Sequence, residues 1–237
     1  MNPETRSSAA IEKENARLRG DLLTVAKRVT HDLRTPLGGI VNSIEAVREV
    51  LTLHDPSAVP LADSLLRSAD EMTQIIKQLS FIARATAIPL PKIKVHMVEP
   101  VFVAMQRLES RVLKRQAQVR EPASWPVVAG VPTWLEMIWW QLLQNALEHG
   151  GPAPCMELGW ESYNGWLRFW LRDNGPGVPD ALCEKLFKEF HMLHDAPDVP
   201  GLGLAIVQRL VELQGGTCGY ERVAAGGGRF FFMLPAD

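Results

Sequence analysis

Residues 18–51 read LRGDLLTVAKRVTHDLRTPLGGIVNSIEAVREVL. Leu18, Leu22, Val25, Val29, Leu33, Leu37, Ile40, Ile44, Val47 and Leu51 step by threes and fours, the spacing that lines one face of a helix. The steps alternate except around Val29, Leu33 and Leu37, where consecutive fours intervene and locally unwind a heptad packing. That irregularity sits beside His31. His54-Asp55-Pro56-Ser57 then breaks the pattern, and a second amphipathic run through Leu61, Leu65, Met72, Ile76 and Leu79 continues to about Ala85. Two helices joined by a short turn make an antiparallel hairpin. A hairpin this narrow cannot bury both apolar stripes within one chain, so residues 1–87 are expected to pair with a second copy as a dimeric four-helix bundle.

The Pro-bearing stretch Ile88-Pro89-Leu90-Pro91 lacks helical period and separates the hairpin from a second expected domain, residues 94–237. There the pattern mixes elements. A strand runs to Val98, a helix from about Val101 to Lys114, and strands follow near Ala117–Arg120 and Val127–Val131. Next come a helix Thr133–Glu148, strands around Met156–Glu161 and Trp166–Arg172, a glycine-rich turn, and a helix near Ala181–Phe187. A helix Leu202–Gln214 and a hairpin of Thr217–Arg222 with Arg229–Leu234 complete the chain. Paired strands with helices between them predict an α/β sandwich with a mixed sheet, so the whole chain is α+β in class.

Composition narrows the function classes. With 25 Lys+Arg against 27 Asp+Glu, the net charge of -2 supplies no field that would favour nucleic acid or an anionic membrane surface. No run of 18 apolar residues occurs, and Met1 to Gly20 is polar, so neither a membrane span nor a signal peptide is read and a cytoplasmic location is expected. Cys155, Cys183 and Cys218 are scattered, without a C-x-x-C pair, and read as reduced, partly buried thiols. His191-x-x-His194-Asp195 has metal-ligand spacing but no further ligand on a rigid element, which argues against a metal site. Trp134, Trp139, Trp140, Trp160, Trp166 and Trp170 fall on helix or strand faces, as core or interface residues rather than base-stacking platforms.

Thr30-His31-Asp32-Leu33-Arg34-Thr35-Pro36-Leu37 places an imidazole, a carboxylate, a hydroxyl and a proline on two helical turns. His31 and Thr35 are four apart and share a face, and the polar flank predicts an imidazole turned to solvent. A neutral imidazole nitrogen attacks phosphorus when its other nitrogen is held by an acceptor, and Asp32 is the candidate to supply that hold and take the displaced proton. The stretch resembles the phosphoacceptor box of the histidine kinase family, H-[DE]-L-R-[TN]-P-L, at every position. Four further boxes stand in that family's order: Gln141 to Ala146, Asp173-Asn174-Gly175-Pro176-Gly177, Leu186 to Phe190, and Gly201 to Val207. The resemblance covers residues 18–237.

It implies a protein histidine kinase of a two-component system, which phosphorylates His31 from ATP with magnesium and passes the phosphate to an aspartate on a response-regulator receiver domain. In the Asp32-x-x-Thr35 pattern it also implies that Thr35 orients water for dephosphorylating that partner. Asp173 offers a carboxylate acceptor to the adenine amino group, while Gly175 and Gly177 let the backbone come close to the base. Asn145 offers magnesium a neutral oxygen. Gly201 and Gly203 precede a helix whose amide groups favour phosphate oxygens, with Leu202, Leu204 and His149 as further nucleotide contacts. Residues 191–200 occupy the place of the family's lid over ATP.

The chain departs from the family at Gln141, where an Asn is usual, and at Glu148, where a Lys or Arg is frequent. It departs again at Val199 and Pro200, which replace a glycine and a small hydroxyl residue. A carboxylate beside phosphates weakens their attraction unless it turns outward or meets the magnesium, and Pro200 has no amide hydrogen to donate. These changes make a dimeric docking module with weakened nucleotide binding the alternative expectation. A chaperone-like ATPase of the same nucleotide fold would leave His31 and its hairpin without a role.

Overall fold

The computed structural model describes residues 3–183, 186–187, 202–223 and 226–236, in two compact units divided at Pro89–Leu90. The first unit is a hairpin of α1 (Pro3–His54) and α2 (Val59–Ala87), joined through a 3-10 turn at Pro56–Ala58. Asp55 organises that turn: its carbonyl accepts from Ala58 N at 3.1 Å and its carboxylate from Ser57 Oγ at 2.5 Å. Helix α1 runs on through Pro36, although proline donates no N–H to the carbonyl one turn back. Arg48 Nε donates to Asp63 Oδ1 at 2.6 Å and ties the two helices near the turn.

Burial in the hairpin is sparse and small. Leu37, Ala62, Ala69, Ala83 and Ala85 are its buried apolar residues. Much of the rest of the stripe stays in water within one chain: Leu22, Val25, Val29, Leu33, Ile40 and Val47 on α1, and Leu61, Leu65 and Met72 on α2, are each about half exposed or more, while Ile44, Leu51 and Ile76 are half-buried. Leaving that much aliphatic surface hydrated costs on the order of 25 cal/mol per Å².

In the second unit, β2 (Gln118–Arg120), β4 (Cys155–Tyr163), β5 (Trp166–Asp173), β7 (Gly228–Pro235) and β6 (Thr217–Arg222) form a five-stranded sheet in that spatial order. Only the β2–β4 pairing is parallel, so the sheet is mixed as expected. β1 (Ile93–His96) and β3 (Val127–Gly130) pair antiparallel as a separate ribbon. Helices α3 (Val98–Lys114), α4 (Pro132–His149) and α6 (Gly203–Glu212) supply the second layer. Alternation along β5 is regular: Leu167, Phe169, Leu171 and Asp173 are buried, and the residues between them are half-buried. The buried set meets Leu135, Ile138, Trp139 and Leu142 of α4 and Ile206, Val207 and Leu210 of α6 as the core. At its centre Trp139 is fully buried, its Nε1 set 3.2 Å from Met97 Sδ and its ring edge-on to Phe232 at 5.5 Å.

The other sheet face closes itself with cross-strand rows. Trp170 lies over Gly159, directly opposite on β4, in space that any Cβ there would occupy. Arg229 sits 4.5 Å above the Trp170 ring and Arg168 4.0 Å above Phe231, and Glu221 pairs with both guanidiniums. Trp170 and Phe231 are thus each capped by a guanidinium on this face.

The strand expected to reach Val98 ends at His96, with Val98 opening α3, the helix expected over Leu202–Gln214 spans Gly203–Glu212, and a further helix is shorter than its sequence pattern predicts. α5 spans Asp180–Cys183, and Leu186-Phe187 lie in a turn rather than in a helix running from Ala181 to Phe187. The Phe187 ring packs edge-on against Phe230 at 6.5 Å, a tertiary contact that takes precedence over local period.

Candidate active site

On α1, the His31 side chain is 84% exposed, and its Nδ1 lies 3.2 Å from Asp32 Oδ1. With Nδ1–H donated to the carboxylate, the lone pair on Nε2 is free and faces solvent. The other carboxylate oxygen, Asp32 Oδ2, is 3.7 Å from Arg28 Nε, one turn back. A charge sequence Arg28–Asp32–His31 thus runs along the acceptor face, with Thr35 exposed one turn beyond His31. Arg28 was not among the residues singled out by motif, yet its i,i+4 spacing to Asp32 is a readable signal.

The nucleotide boxes gather in the second unit around the ends of β5, α4 and α6. Asp173 closes β5 with 9% exposure, and Oδ1 accepts from Gly175 N at 2.8 Å. Burial pushes this carboxyl above its usual range, and the N–H groups of Gly175 and Gly228, with nearby His149, pull part of that rise back. The turn after Asp173 presses on the end of α4: a Cβ on Gly175 would lie 2.6 Å from the His149 carbonyl. Gly177 holds φ +73°, a left-handed conformation that suits glycine. Asn174 anchors the turn from outside, accepting from Cys155 N at 2.7 Å and donating to Ala153 O at 3.1 Å.

From α4, Gln141 and Asn145 stand one turn apart and converge on Gly203, the first residue of α6. A Cβ on Gly203 would lie 2.7 Å from Gln141 Oε1 and 3.5 Å from Asn145 Oδ1. Neutral amide oxygens beside a helix start suit a hard cation that shares its remaining sites with phosphate and water. The residues present fit a magnesium-bound nucleotide. Leu204 is buried and Leu202 half-buried at the same helix start. Gly201, Val199, Pro200, residues 188–190 and the 191–200 stretch with His191, His194 and Asp195 lie outside the described residues. Among the described residues, no group of three or more His, Cys, Asp and Glu could hold a metal.

Glu148 does not point at this cradle. Its Oε1 accepts from Arg111 Nη1 of α3 at 3.3 Å and from Gln144 Nε2 at 2.9 Å. Arg115, which caps the C-terminal end of α3, donates to Gly151 O at 2.7 Å and braces the segment that leaves α4. The carboxylate that looked unfavourable beside phosphates is instead neutralised on the α3 side. Glu148→Ala is therefore expected to change ADP affinity less than threefold by calorimetry, and stability by about 0.5 kcal/mol or less, as for an exposed ion pair.

A recess of about 230 Å³ also borders Asp173, lined by Arg120, Cys155, Glu157, Arg172 and Asn174. By register Arg120, Glu157 and Arg172 form one row of the sheet on the face away from α4, so this recess is distinct from the cradle. The three cysteines are free and half-buried, and burial, with Glu212 nearby, pushes the Cys218 thiol up to about 12. None of the helices among the described residues is long and apolar enough to cross a membrane.

Comparison with known proteins agrees with this layout. Residues 21–88 match the His Kinase A (phospho-acceptor) domain, and residues 130–237 match the histidine kinase-, DNA gyrase B-, and HSP90-like ATPase. The chain belongs to the histidine kinase family of two-component systems, and consists of a phospho-acceptor hairpin followed by an ATP-binding domain. The methanogenesis regulatory histidine kinase FilI of Methanothrix harundinacea is 28% identical over 228 residues, which cover 95% of this chain and 25% of that protein. The sensor-type histidine kinase PrrB of Mycobacterium tuberculosis is 27% identical over 210 residues, 87% of this chain and 46% of that protein. The chain thus spans less than half the length of both relatives. Among solved structures, full-length ShkA in complex with AMPPNP superposes with a TM-score of 0.65 at 23% identity, over 90% of this chain and 45% of that one.

Proposed function

We propose that the chain is an ATP-dependent protein histidine kinase that phosphorylates His31 and passes the phosphate to an aspartate of a response-regulator receiver domain. The observation that carries this reading is the exposed imidazole whose Nδ1 is held by Asp32, leaving Nε2 as a nucleophile. Nε2 attacks the γ-phosphorus, the bond to the bridging oxygen breaks, and ADP leaves with the electron pair. Asp32 steadies the imidazolium that forms and receives its Nδ1 proton. Asp173 accepts the adenine amino group and the turn at Gly175 and Gly177 approaches the base. His149, Leu202, Leu204 and the amides at the start of α6 line the rest of the nucleotide. Asn145 holds the magnesium, which when bound neutralises charge on the phosphates. Asp32 and Thr35 together orient a water for the reverse activity on the regulator.

The exposed stripes of α1 and α2 favour a second copy of the hairpin as the partner that covers them, giving a homodimeric four-helix bundle. The test is incubation of the chain with magnesium and γ-labelled ATP. Wild-type chain takes up acid-labile, base-stable label, and Asn145→Ala reduces that uptake on the order of a hundredfold, the loss expected for removing a metal contact. Wild-type chain that neither binds ADP nor takes up label overturns the reading.

A further inference from the structure

A strand late in the sequence holds the turn that follows Asp173. Tyr220 lies on β6, an edge strand of the sheet, and its hydroxyl oxygen accepts the backbone N–H of Val178 at 2.9 Å. The ring fills space kept open by two glycines: a Cβ on Gly177 would lie 3.3 Å from Tyr220 Oη, and one on Gly228 would lie 2.6 Å from Tyr220 Cε2. Its far side packs on Phe230 at 5.0 Å, and Phe230 in turn meets Phe187. Two residues along the same strand, Arg222 Nη1 donates to Asp180 Oδ1 at 3.1 Å, so β6 grips both ends of the Val178–Asp180 segment. The same hairpin reaches Asp173 directly, because the N–H of Gly228 bonds to that carboxyl and Gly227 packs on the Asp173 carbonyl.

We propose that Tyr220 is a positioning residue for adenine recognition, fixing the Gly175–Val178 turn against Asp173 through its bond to Val178 N. The inference rests on the reading of Asp173 and its glycines as the base-binding end of the site. A phenol oxygen suits this place because it accepts one N–H while its ring, anchored on Phe230, cannot swing away. Losing the oxygen leaves the Val178 N–H without its partner and frees the turn to sample geometries in which Asp173 no longer faces the base. Polyphosphate contacts at α6 are untouched, so the effect should fall on the base and not on the phosphates.

The experiment compares Tyr220→Phe with wild type in the full chain. ADP and GDP affinities are measured by calorimetry with magnesium, and KM and kcat for ATP are measured by label uptake. Phenylalanine keeps the ring between Gly177 and Gly228, and an unchanged melting transition verifies folding. The expected result is ADP binding weakened about five- to tenfold and GDP binding changed less than twofold. KM for ATP rises by a factor similar to the ADP loss, with kcat changed less than twofold. ADP affinity equal to wild type overturns the proposal, and so does an equal loss for ADP and GDP, which marks a merely structural role. Asp173→Asn is the control for the underlying reading: if it also binds ADP normally, the base-binding assignment falls and Tyr220 falls with it. If it loses ADP while Tyr220→Phe does not, only Tyr220 falls.

Discussion

Chain carrying His31→Gln takes up no acid-labile label from ATP, a fall on the order of a hundredfold or more against wild type, while its ADP affinity stays within twofold. Glutamine is the informative replacement because it is polar and neutral, leaving the Asp32 carboxylate in place where His31 Nδ1 now meets it at 3.2 Å, but it carries no nitrogen lone pair able to attack phosphorus. The Arg28–Asp32 pair is then undisturbed, and the loss isolates the nucleophile from its electrostatic setting. Structure offers no competing explanation for the loss, because the side chain is 84% exposed and glutamine is a good helix former. The stability change should stay within about 0.5 kcal/mol in a denaturant titration. Label persisting in His31→Gln would remove the proposed acceptor, whatever remained of the nucleotide site.

The residues that sequence made legible are those whose partners are close in the chain or whose spacing encodes a face. His31, Asp32 and Thr35 are such a case, since helical period alone puts them on one exposed side of α1. The turn at Asp55-Pro56 and the strand over Trp166–Arg172 are others, and both match the elements observed. What could not be read depends on register across the sheet and on packing between helices. Glu148 looks like a charge aimed at phosphates until α3 is placed beside α4 and Arg111, 37 residues earlier, meets it. Gly159 carries no local signal; its reason is the Trp170 ring opposite, which only the β4–β5 register supplies. Tyr220 and Val178 are 42 residues apart, and the bond between them follows from β6 being the edge strand beside the Asp173 turn. The helix expected through Phe187 fails for a similar reason, because Phe230 claims that ring.

Asp173→Asn separates recognition of the base from the stability of the fold, and the two should move in opposite directions. Oδ1 of Asp173 already accepts from Gly175 N and the carboxyl also takes the N–H of Gly228, which leaves the remaining lone pairs of the carboxylate for the adenine amino group. Asparagine keeps the bond to Gly175 through its carbonyl oxygen and therefore presents an N–H₂ donor where the base also presents a donor. Two donors facing each other in a buried site weaken ADP binding on the order of a hundredfold, read by calorimetry against wild type. Stability responds to the charge instead. Burial, the dominant cause, raises the carboxyl above its ordinary 3.8, so the folded chain holds this proton more tightly than the unfolded chain does. An acid shifted this way contributes most favourably below the ordinary value and loses that contribution as pH rises through the folded one. Asparagine has no charge to desolvate, so at neutral pH the variant melts above wild type, and the gap closes as pH falls toward 3.8. A variant that loses ADP and also melts lower at neutral pH would show that the carboxylate is held for the fold rather than kept in readiness for the base.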